Sequence, residues 1–134
     1  MNRRSYFSIM LASMAGMAGI KRASAQKAAH PIVLNCDLAV DPVKEQEMLR
    51  HYHNTFKPAA EKFPGYIDLK MLKLRTAYQG SVPTGINYRF QLTYESEELR
   101  QKWIKSDVHQ KVWPPIENML SNKATYPVLL FDSV

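Results

Sequence analysis

Three ring side chains in the C-terminal third of the chain, Trp103, His109 and Trp113, are the residues best suited to chemistry. His109 and Trp113 are four residues apart, so on a helix they share a face and can stack. Trp103 lies six residues before His109, about 240° round an ideal helix, and joins the pair only if the backbone breaks near Ser106. An imidazole changes charge near neutral pH, which suits proton transfer. The plainer alternative is that Trp103 is a core residue and His109 a partly exposed helix residue.

A second polar group is expected where two strands run side by side. Asn35 and Asp37 share one face of the first predicted strand, and Arg89 and Gln91 share one face of the third. If these strands are neighbours, the four side chains can bind a polar group of a ligand. Asn35, Asp37 and Arg89 are therefore candidate substrate-binding residues, together with Trp113. The alternative is a hydrogen-bonded layer with no ligand, in which Asp37 and Arg89 form a structural ion pair.

The other potentially reactive side chains do not form a recognisable site. His51 and His53 are two residues apart and point about 200° apart on a helix, so they cannot chelate one metal ion together. The sequence contains no CxxC or HExxH motif and no glycine-rich nucleotide-binding motif, so we expect neither a metal site nor a cofactor. Cys36, the one cysteine, lies in an alternating apolar run and is predicted to be a small buried hydrophobe.

The hydrophobic periodicity predicts the element order β-α-β-β-α-β. The predicted strands cover residues 32–40, 66–78, 87–94 and 126–132. Asp41 and Pro42 are the expected cap and first residue of a helix of about 20 residues, which Pro58 should kink. In the second strand the apolar parity changes between Met71 and Leu72, which predicts a bulge or a strand buried on both faces.

The second helical region carries two capping signals, at Ser96 and at Ser106-Asp107. The whole order is that of the ferredoxin-like α+β folds, with a four-stranded antiparallel sheet covered by helices on one face. Several strands are apolar on both faces, and no further element remains to cover the second face. We therefore expect a homodimer in which two sheets pair.

Residues 1–25 are predicted to be an export signal. Arg3-Arg4 is followed by an apolar run of about 14 residues, which is too short to span a membrane, and then by a small-residue cleavage pattern, Ala23-Ser24-Ala25. The segment from Asn2 to Phe7 resembles a twin-arginine translocation signal. A general secretory signal is the alternative. Either route predicts a periplasmic or secreted protein with no membrane anchor after cleavage.

Removing the leader changes the charge balance of the chain. Of the 134 residues, 18 are basic and 12 acidic, a net charge of +6. Four of the basic residues and none of the acidic ones lie in the leader, which leaves residues 26–134 with a net charge of about +2. This near-neutral segment is the length of one domain, and its charge gives no support to nucleic-acid binding.

The segment after the leader resembles the antibiotic biosynthesis monooxygenase-like group of the dimeric α/β-barrel superfamily, over residues 32–134. The resemblance depends on the element order and on three segments: Phe63-Pro64-Gly65-Tyr66, the run from Tyr94 to Leu99, and the run from Trp103 to His109. It implies a pocket between helix and sheet in which an aromatic diol or quinol reacts with oxygen without a cofactor. By this resemblance Trp103 would form the pocket wall, and His109 would be a proton acceptor or a hydrogen-bond partner of the substrate.

Two other functions remain open at this point. The superfamily includes members of many activities, so the chain could keep the fold as a non-catalytic domain that binds a small ligand. Haem-degrading relatives use an asparagine on the first strand, a helix tryptophan and a helix histidine as axial ligand. Asn35 and Trp103 match the first two, but Trp113 occupies the position of the histidine.

Overall fold

Four antiparallel strands form one sheet in the computed structural model, which describes residues 30–134. The strands are β1 (Ile32–Leu38), β2 (Tyr66–Lys73), β3 (Tyr88–Tyr94) and β4 (Val128–Asp132). Their order across the sheet is β2-β3-β1-β4, so β1 lies between β3 and β4. The predicted ferredoxin-like α+β fold is confirmed. The predicted export signal lies outside the described residues.

The first helical region changes its winding along its length. Asp41 accepts a hydrogen bond from the Val43 amide at 3.0 Å, as expected of a cap, and a short 3-10 turn (Pro42–Lys44) follows. Then come α1 (Glu45–His51), a π-helical segment (Tyr52–Phe56) and α2 (Lys57–Glu61). Pro58 has no N–H, so in an α-helix the carbonyl of the residue four positions earlier would lack its donor. That residue lies inside the π-helical segment, which places the irregularity one turn before Pro58.

The second helical region consists of three short helices, α3 (Glu97–Lys105), α4 (Asp107–Val112) and α5 (Pro114–Glu117). Ser96 caps α3 by accepting a hydrogen bond from the Leu99 amide at 3.2 Å. Two consecutive prolines begin α5, where their missing N–H groups cost no helical hydrogen bond. Within residues 30–134, no helix is long and apolar enough to cross a membrane.

The helices pack against one face of the sheet, called here the inner face. The inner-face side chains of the two central strands are all at least nine-tenths buried: Ile32, Leu34, Cys36 and Leu38 of β1, and Tyr88, Phe90, Leu92 and Tyr94 of β3. Phe56 from the π-helical segment and Trp103 from α3 contact each other over this face, with ring centroids 5.9 Å apart. Burial of these large apolar side chains is the main source of stability.

The opposite face, called here the outer face, has no helix over it. Strand pairing places Val33 beside Phe131 and Asn35 beside Leu129 on this face. Leu129 and Phe131 are each 48% exposed, and Leu72 of β2 is 40% exposed. The edge strand β4 is thus apolar and exposed, a surface that a soluble protein ordinarily covers with another chain or element.

The strands differ from the sequence prediction at four ends and in the position of the bulge. β3 begins at Tyr88 and β4 at Val128, one and two residues later than predicted. β1 ends at Leu38, because Val40 forms only an isolated bridge with Leu120. β2 ends at Lys73, five residues earlier than predicted. The irregularity in its pairing lies between Tyr66 and Asp68, so the bulge predicted at Met71 and Leu72 is wrong in position. Leu72 instead points to the outer face, opposite Arg89, at a position where strand alternation predicts a polar residue.

The turn before β2 needs glycine for two independent reasons. Gly65 has a φ of +96°, in the region that side chains with a Cβ avoid. A Cβ atom there would also lie 2.8 Å from both Cβ and Cδ1 of Leu99. The Gly65 carbonyl accepts a hydrogen bond from the Glu95 amide at 2.8 Å, which ties the start of β2 to the end of β3.

Gly65→Ala should therefore lower the free energy of unfolding by about 2–5 kcal/mol, since strained backbone and overpacking each cost about 1–3 kcal/mol. Gly80→Ala is the matched control: Gly80 also has a positive φ, +78°, but a Cβ there meets nothing within 4 Å. It should cost only about 1–2 kcal/mol. Urea denaturation of both variants measures the difference, and equal losses would contradict the close approach of Leu99.

Candidate functional site

A cavity of about 330 Å³ lies between the inner face of the sheet and the helices of the second helical region. Aromatic and aliphatic side chains form most of its wall, with a few polar groups among them. The lining residues most relevant to chemistry are Cys36, Arg100, Trp103, His109, Trp113, Glu117 and Tyr126. The three ring residues singled out from the sequence therefore line one cavity.

The backbone break at Ser106 brings Trp103 to His109. Ser106 has the extended dihedrals φ −71° and ψ 152°, so the chain turns between α3 and α4. Its hydroxyl donates to the Trp103 carbonyl at 2.7 Å and accepts from the His109 amide at 3.1 Å. The Trp103 and His109 rings meet edge to face, with centroids 5.1 Å apart. The predicted condition for joining the three rings is confirmed.

His109 is half-buried between the two tryptophans. Its ring stacks on Trp113 with an interplanar angle of 21° and a centroid distance of 6.4 Å. The Nδ1 atom is buried and has no hydrogen-bond partner in the described part of the chain. Burial lowers the pKa of His109; the Glu117 carboxylate partly opposes this, and the Arg100 guanidinium reinforces it. The imidazole is therefore neutral at pH 7 and can accept a proton.

Two functional candidates, Tyr126 and Glu117, escaped the sequence analysis. The Trp113 indole donates from Nε1 to the Tyr126 hydroxyl at 3.2 Å, and that hydroxyl donates to Glu117 Oε2 at 2.6 Å. Burial, with the bond to Glu117, raises the pKa of Tyr126, so the phenol keeps its proton. The four-residue spacing of Trp113 and Glu117 was a usable signal, but nothing in the sequence pattern placed Tyr126 between them.

Cys36 and Arg100 complete the polar lining of the cavity. Burial raises the pKa of the Cys36 thiol to about 12, so it is protonated and unreactive at pH 7. Arg100 bonds both carboxylate oxygens of Glu97, from Nε at 2.7 Å and from a terminal nitrogen at 2.9 Å. The guanidinium is thus held at the cavity by a bidentate ion pair.

The predicted polar group on β1 and β3 exists, but it lies on the outer face, away from the cavity. Arg89 donates to Asp37 from Nε at 2.7 Å, and Gln91 donates to Asn35 at 3.1 Å. Asp37 and Arg89 line a second opening of about 460 Å³ beside the loop between β2 and β3. The structure therefore separates Asn35, Asp37 and Arg89 from Trp113, and a binding role for them stays a prediction.

The same separation disfavours the haem-handling alternative. The haem-type arrangement requires an asparagine of the first strand beside the helix tryptophan. Asn35 pairs with Gln91 and Leu129 on the outer face, whereas Trp103 lies over the inner face. The residues present do not form that constellation.

The remaining histidines have structural or exposed positions. His51 donates from Nε2 to the Val112 carbonyl at 2.8 Å, so it ties α1 to the end of α4 instead of standing free on the surface. His53 is exposed. Among residues 30–134 no group of three or more His, Cys, Asp or Glu side chains could hold a metal ion.

Solved structures with the same fold come from several bacteria. A Caulobacter crescentus protein named "putative antibiotic biosynthesis monooxygenase" superposes with a TM-score of 0.63 at 13% identity, over 84% of this chain and 98% of that one. A dimeric ferredoxin-like protein of unknown function from Jannaschia sp. gives 0.61 at 16% identity, over 76% and 96%. The haem-degrading protein of Mycobacterium tuberculosis gives 0.53 at 19%, over 78% and 92%.

These likenesses establish the ferredoxin-like fold. No protein-family model matches the chain, and no curated protein matches it. The neighbours differ in what they are named for, one for a monooxygenase and one for haem degradation. Function has to be argued from the cavity itself.

The protonation state of His109 can be measured directly by NMR titration of its imidazole. Its pKa should lie below the ordinary histidine value of about 6.5. Because the folded-state pKa is the lower one, His109 contributes stability that is present above the unfolded pKa and is lost as the pH falls through the folded pKa. His109→Gln should remove that part of the pH dependence, while the exposed His53→Gln should not. A His109 pKa at or above 6.5 would contradict the burial argument.

Proposed function

We propose that the cavity binds a small phenol or quinol and that the protein oxidises this substrate with molecular oxygen, without a dedicated cofactor. The observation that carries the proposal is a half-buried imidazole with a lowered pKa, set between two tryptophans in the wall of a largely apolar cavity. Each part of this arrangement corresponds to one requirement of the reaction.

The wall of the cavity suits an aromatic ring. Trp113 lines the cavity, and Phe90 packs against it with ring centroids 4.9 Å apart. Trp103 also lines the cavity, but it is only 1% exposed, so it is a core residue that contributes little open surface. A volume of about 330 Å³ is at the small end of ordinary ligand sites, which suits one or two fused rings. Aromatic pairs favour offset or edge-to-face contact, so a planar substrate gains both area and geometry here.

His109 supplies the proton step. A neutral imidazole can accept the proton of a phenolic hydroxyl and leave an electron-rich phenolate in the cavity. Burial disfavours the imidazolium, so the proton is readily passed on to a later intermediate. The protein's own contribution is thus proton transfer and orientation of the ring.

The substrate supplies the electrons. For 1-naphthol, the phenolate ring carbon opposite the oxygen forms a bond with O₂, and the protonated His109 returns its proton to the distal oxygen. The hydroperoxide then loses water as its carbon gives up hydrogen, which leaves 1,4-naphthoquinone. One oxygen atom ends in the product and the other in water, and the four electrons that reduce O₂ all come from the naphthol.

A non-catalytic binding protein is the second candidate. The hydrogen-bonded chain of Trp113, Tyr126 and Glu117 favours it, because such a chain builds a defined binding wall whether or not a reaction follows. In that case the cavity would hold an aromatic ligand without consuming oxygen.

We also propose that the protein acts outside the cytoplasm as a homodimer. The basic and apolar pattern of residues 1–25 supports export. The uncovered outer face supports pairing of two sheets, because Leu129 and Phe131 stay half exposed in one copy. The Jannaschia neighbour, which is described as dimeric, adds support for the dimer.

The catalytic proposal predicts that His109→Gln lowers oxygen uptake with 1-naphthol by about 100-fold or more, since loss of a general base costs about 10²–10⁴ in rate. Binding of 1-naphthol, measured by calorimetry, should change only a few-fold. His53→Gln is the control and should behave as wild type. Tight binding with no oxygen uptake by the wild-type protein would refute the enzyme and leave the binding protein.

The dimer proposal predicts that Leu129→Glu combined with Phe131→Glu yields a monomer, because the added carboxylates would be buried between sheets. Val43→Glu, at an apolar residue that is 92% exposed on the 3-10 turn, is the control and should remain dimeric. Light scattering at micromolar concentration measures the mass. A wild-type monomer under those conditions would overturn the paired-sheet argument.

A further inference from the structure

Glu117 stands at the end of a hydrogen-bonded chain that runs to the wall of the cavity. Its Oε2 atom accepts the Tyr126 hydroxyl proton at 2.6 Å, and the hydroxyl oxygen accepts the Trp113 indole N–H at 3.2 Å. The one hydroxyl proton of Tyr126 is thereby committed to Glu117. With its proton directed to the carboxylate, the hydroxyl presents a lone pair to the indole.

The chain fixes the orientation of Trp113, which touches most of the cavity's rings. The indole packs on Phe56 and Phe90 with centroid distances of 5.5 and 4.9 Å, and it stacks on His109. Glu117 is also bonded through its backbone, since its amide donates to the Trp113 carbonyl at 3.2 Å. Main-chain and side-chain bonds therefore both hold the carboxylate near the tryptophan.

Glu117 carries charge as well as hydrogen bonds. Two charged groups act on His109 besides its burial: Glu117 of α5 stabilises the imidazolium, and Arg100 of α3 destabilises it. Arg100 is already paired with Glu97. Removal of Glu117 would therefore leave the effect of Arg100, which lowers the pKa of His109, unopposed.

We propose that Glu117 is a positioning residue, whose carboxylate holds the Tyr126 hydroxyl and, through it, the Trp113 indole as the fixed wall against which a bound ring lies. The inference rests on the proposed use of this cavity for an aromatic ligand. It adds two residues, Glu117 and Tyr126, whose roles are orientation of the wall and tuning of the neighbouring imidazole, not contact with the reacting atoms.

Three variants separate the two roles of Glu117. Glu117→Gln keeps an oxygen that can accept the Tyr126 proton but removes the charge. Tyr126→Phe keeps the charge but removes the bridging hydroxyl. Glu117→Ala removes the charge and the acceptor that holds the Tyr126 hydroxyl in place. Glu98→Gln, an exposed carboxylate of α3, is the control, and thermal unfolding confirms that each variant is folded.

Three readouts follow each variant: the indole N–H resonance of Trp113, the dissociation constant of 1-naphthol, and the titration of His109. Tyr126→Phe should shift the indole resonance and weaken naphthol binding by about 2- to 10-fold, the usual effect of one lost hydrogen bond. Glu117→Gln should leave both nearly unchanged while lowering the pKa of His109. Glu117→Ala should show all three changes.

The proposal is overturned if Tyr126→Phe and Glu117→Ala leave the indole resonance in place, or if Glu117→Gln leaves the His109 titration unchanged. Failure of the proposed function gives a different result. If the wild-type protein binds no 1-naphthol, the cavity is not a site for this ligand class, whereas the indole resonance and the His109 titration still decide whether Glu117 positions Trp113.

Discussion

The arrangement of the cavity depends on the extended backbone at Ser106. In one continuous helix a rotation of about 240° would separate Trp103 from His109, which places them on different faces, so their rings could not meet. Ser106 ends one helix and caps the next, and its hydroxyl satisfies a backbone group on each side. Two hydrogen bonds of one side chain thus replace the helical bonds that the turn gives up, at a position where serine is a favoured cap. The aromatic cluster follows from that local exchange.

The sheet imposes the second constraint, because its two faces have different surroundings. Alternation along β1 sends Leu34 and Cys36 under the helices and Asn35 and Asp37 to the uncovered side. The inner face can therefore contribute only apolar atoms and one buried thiol to the cavity. The polar groups of the cavity come from the helices and from the segment before β4, and the Asp37–Arg89 ion pair belongs to the surface where a second copy would pack.

Much of this organisation could be predicted from local sequence. Period-two alternation identified the four strands and placed Asn35 on the face opposite Leu34, and the capping residues Asp41, Ser96 and Ser106 marked helix starts that the structure confirms.

The features that the sequence does not predict depend on tertiary contact. The alternation predicts Tyr126 as the first residue of the last strand, whereas it lies before β4 and forms hydrogen bonds with Trp113 and Glu117 that no local pattern shows. The change of apolar parity at Leu72 predicts a bulge there, but Leu72 is an exposed residue on the outer face and the bulge lies between Tyr66 and Asp68.

We propose that the cavity between Trp103 and Trp113 is the ligand site and that His109 meets the ligand's hydroxyl. A crystal structure of the protein with 1-naphthol, grown without oxygen, tests this most directly. The naphthalene ring should lie against the two tryptophans, with its hydroxyl within hydrogen-bond distance of the His109 imidazole. Naphthol bound instead beside Asp37 and Arg89, or a cavity that holds only water at saturating naphthol, would contradict it.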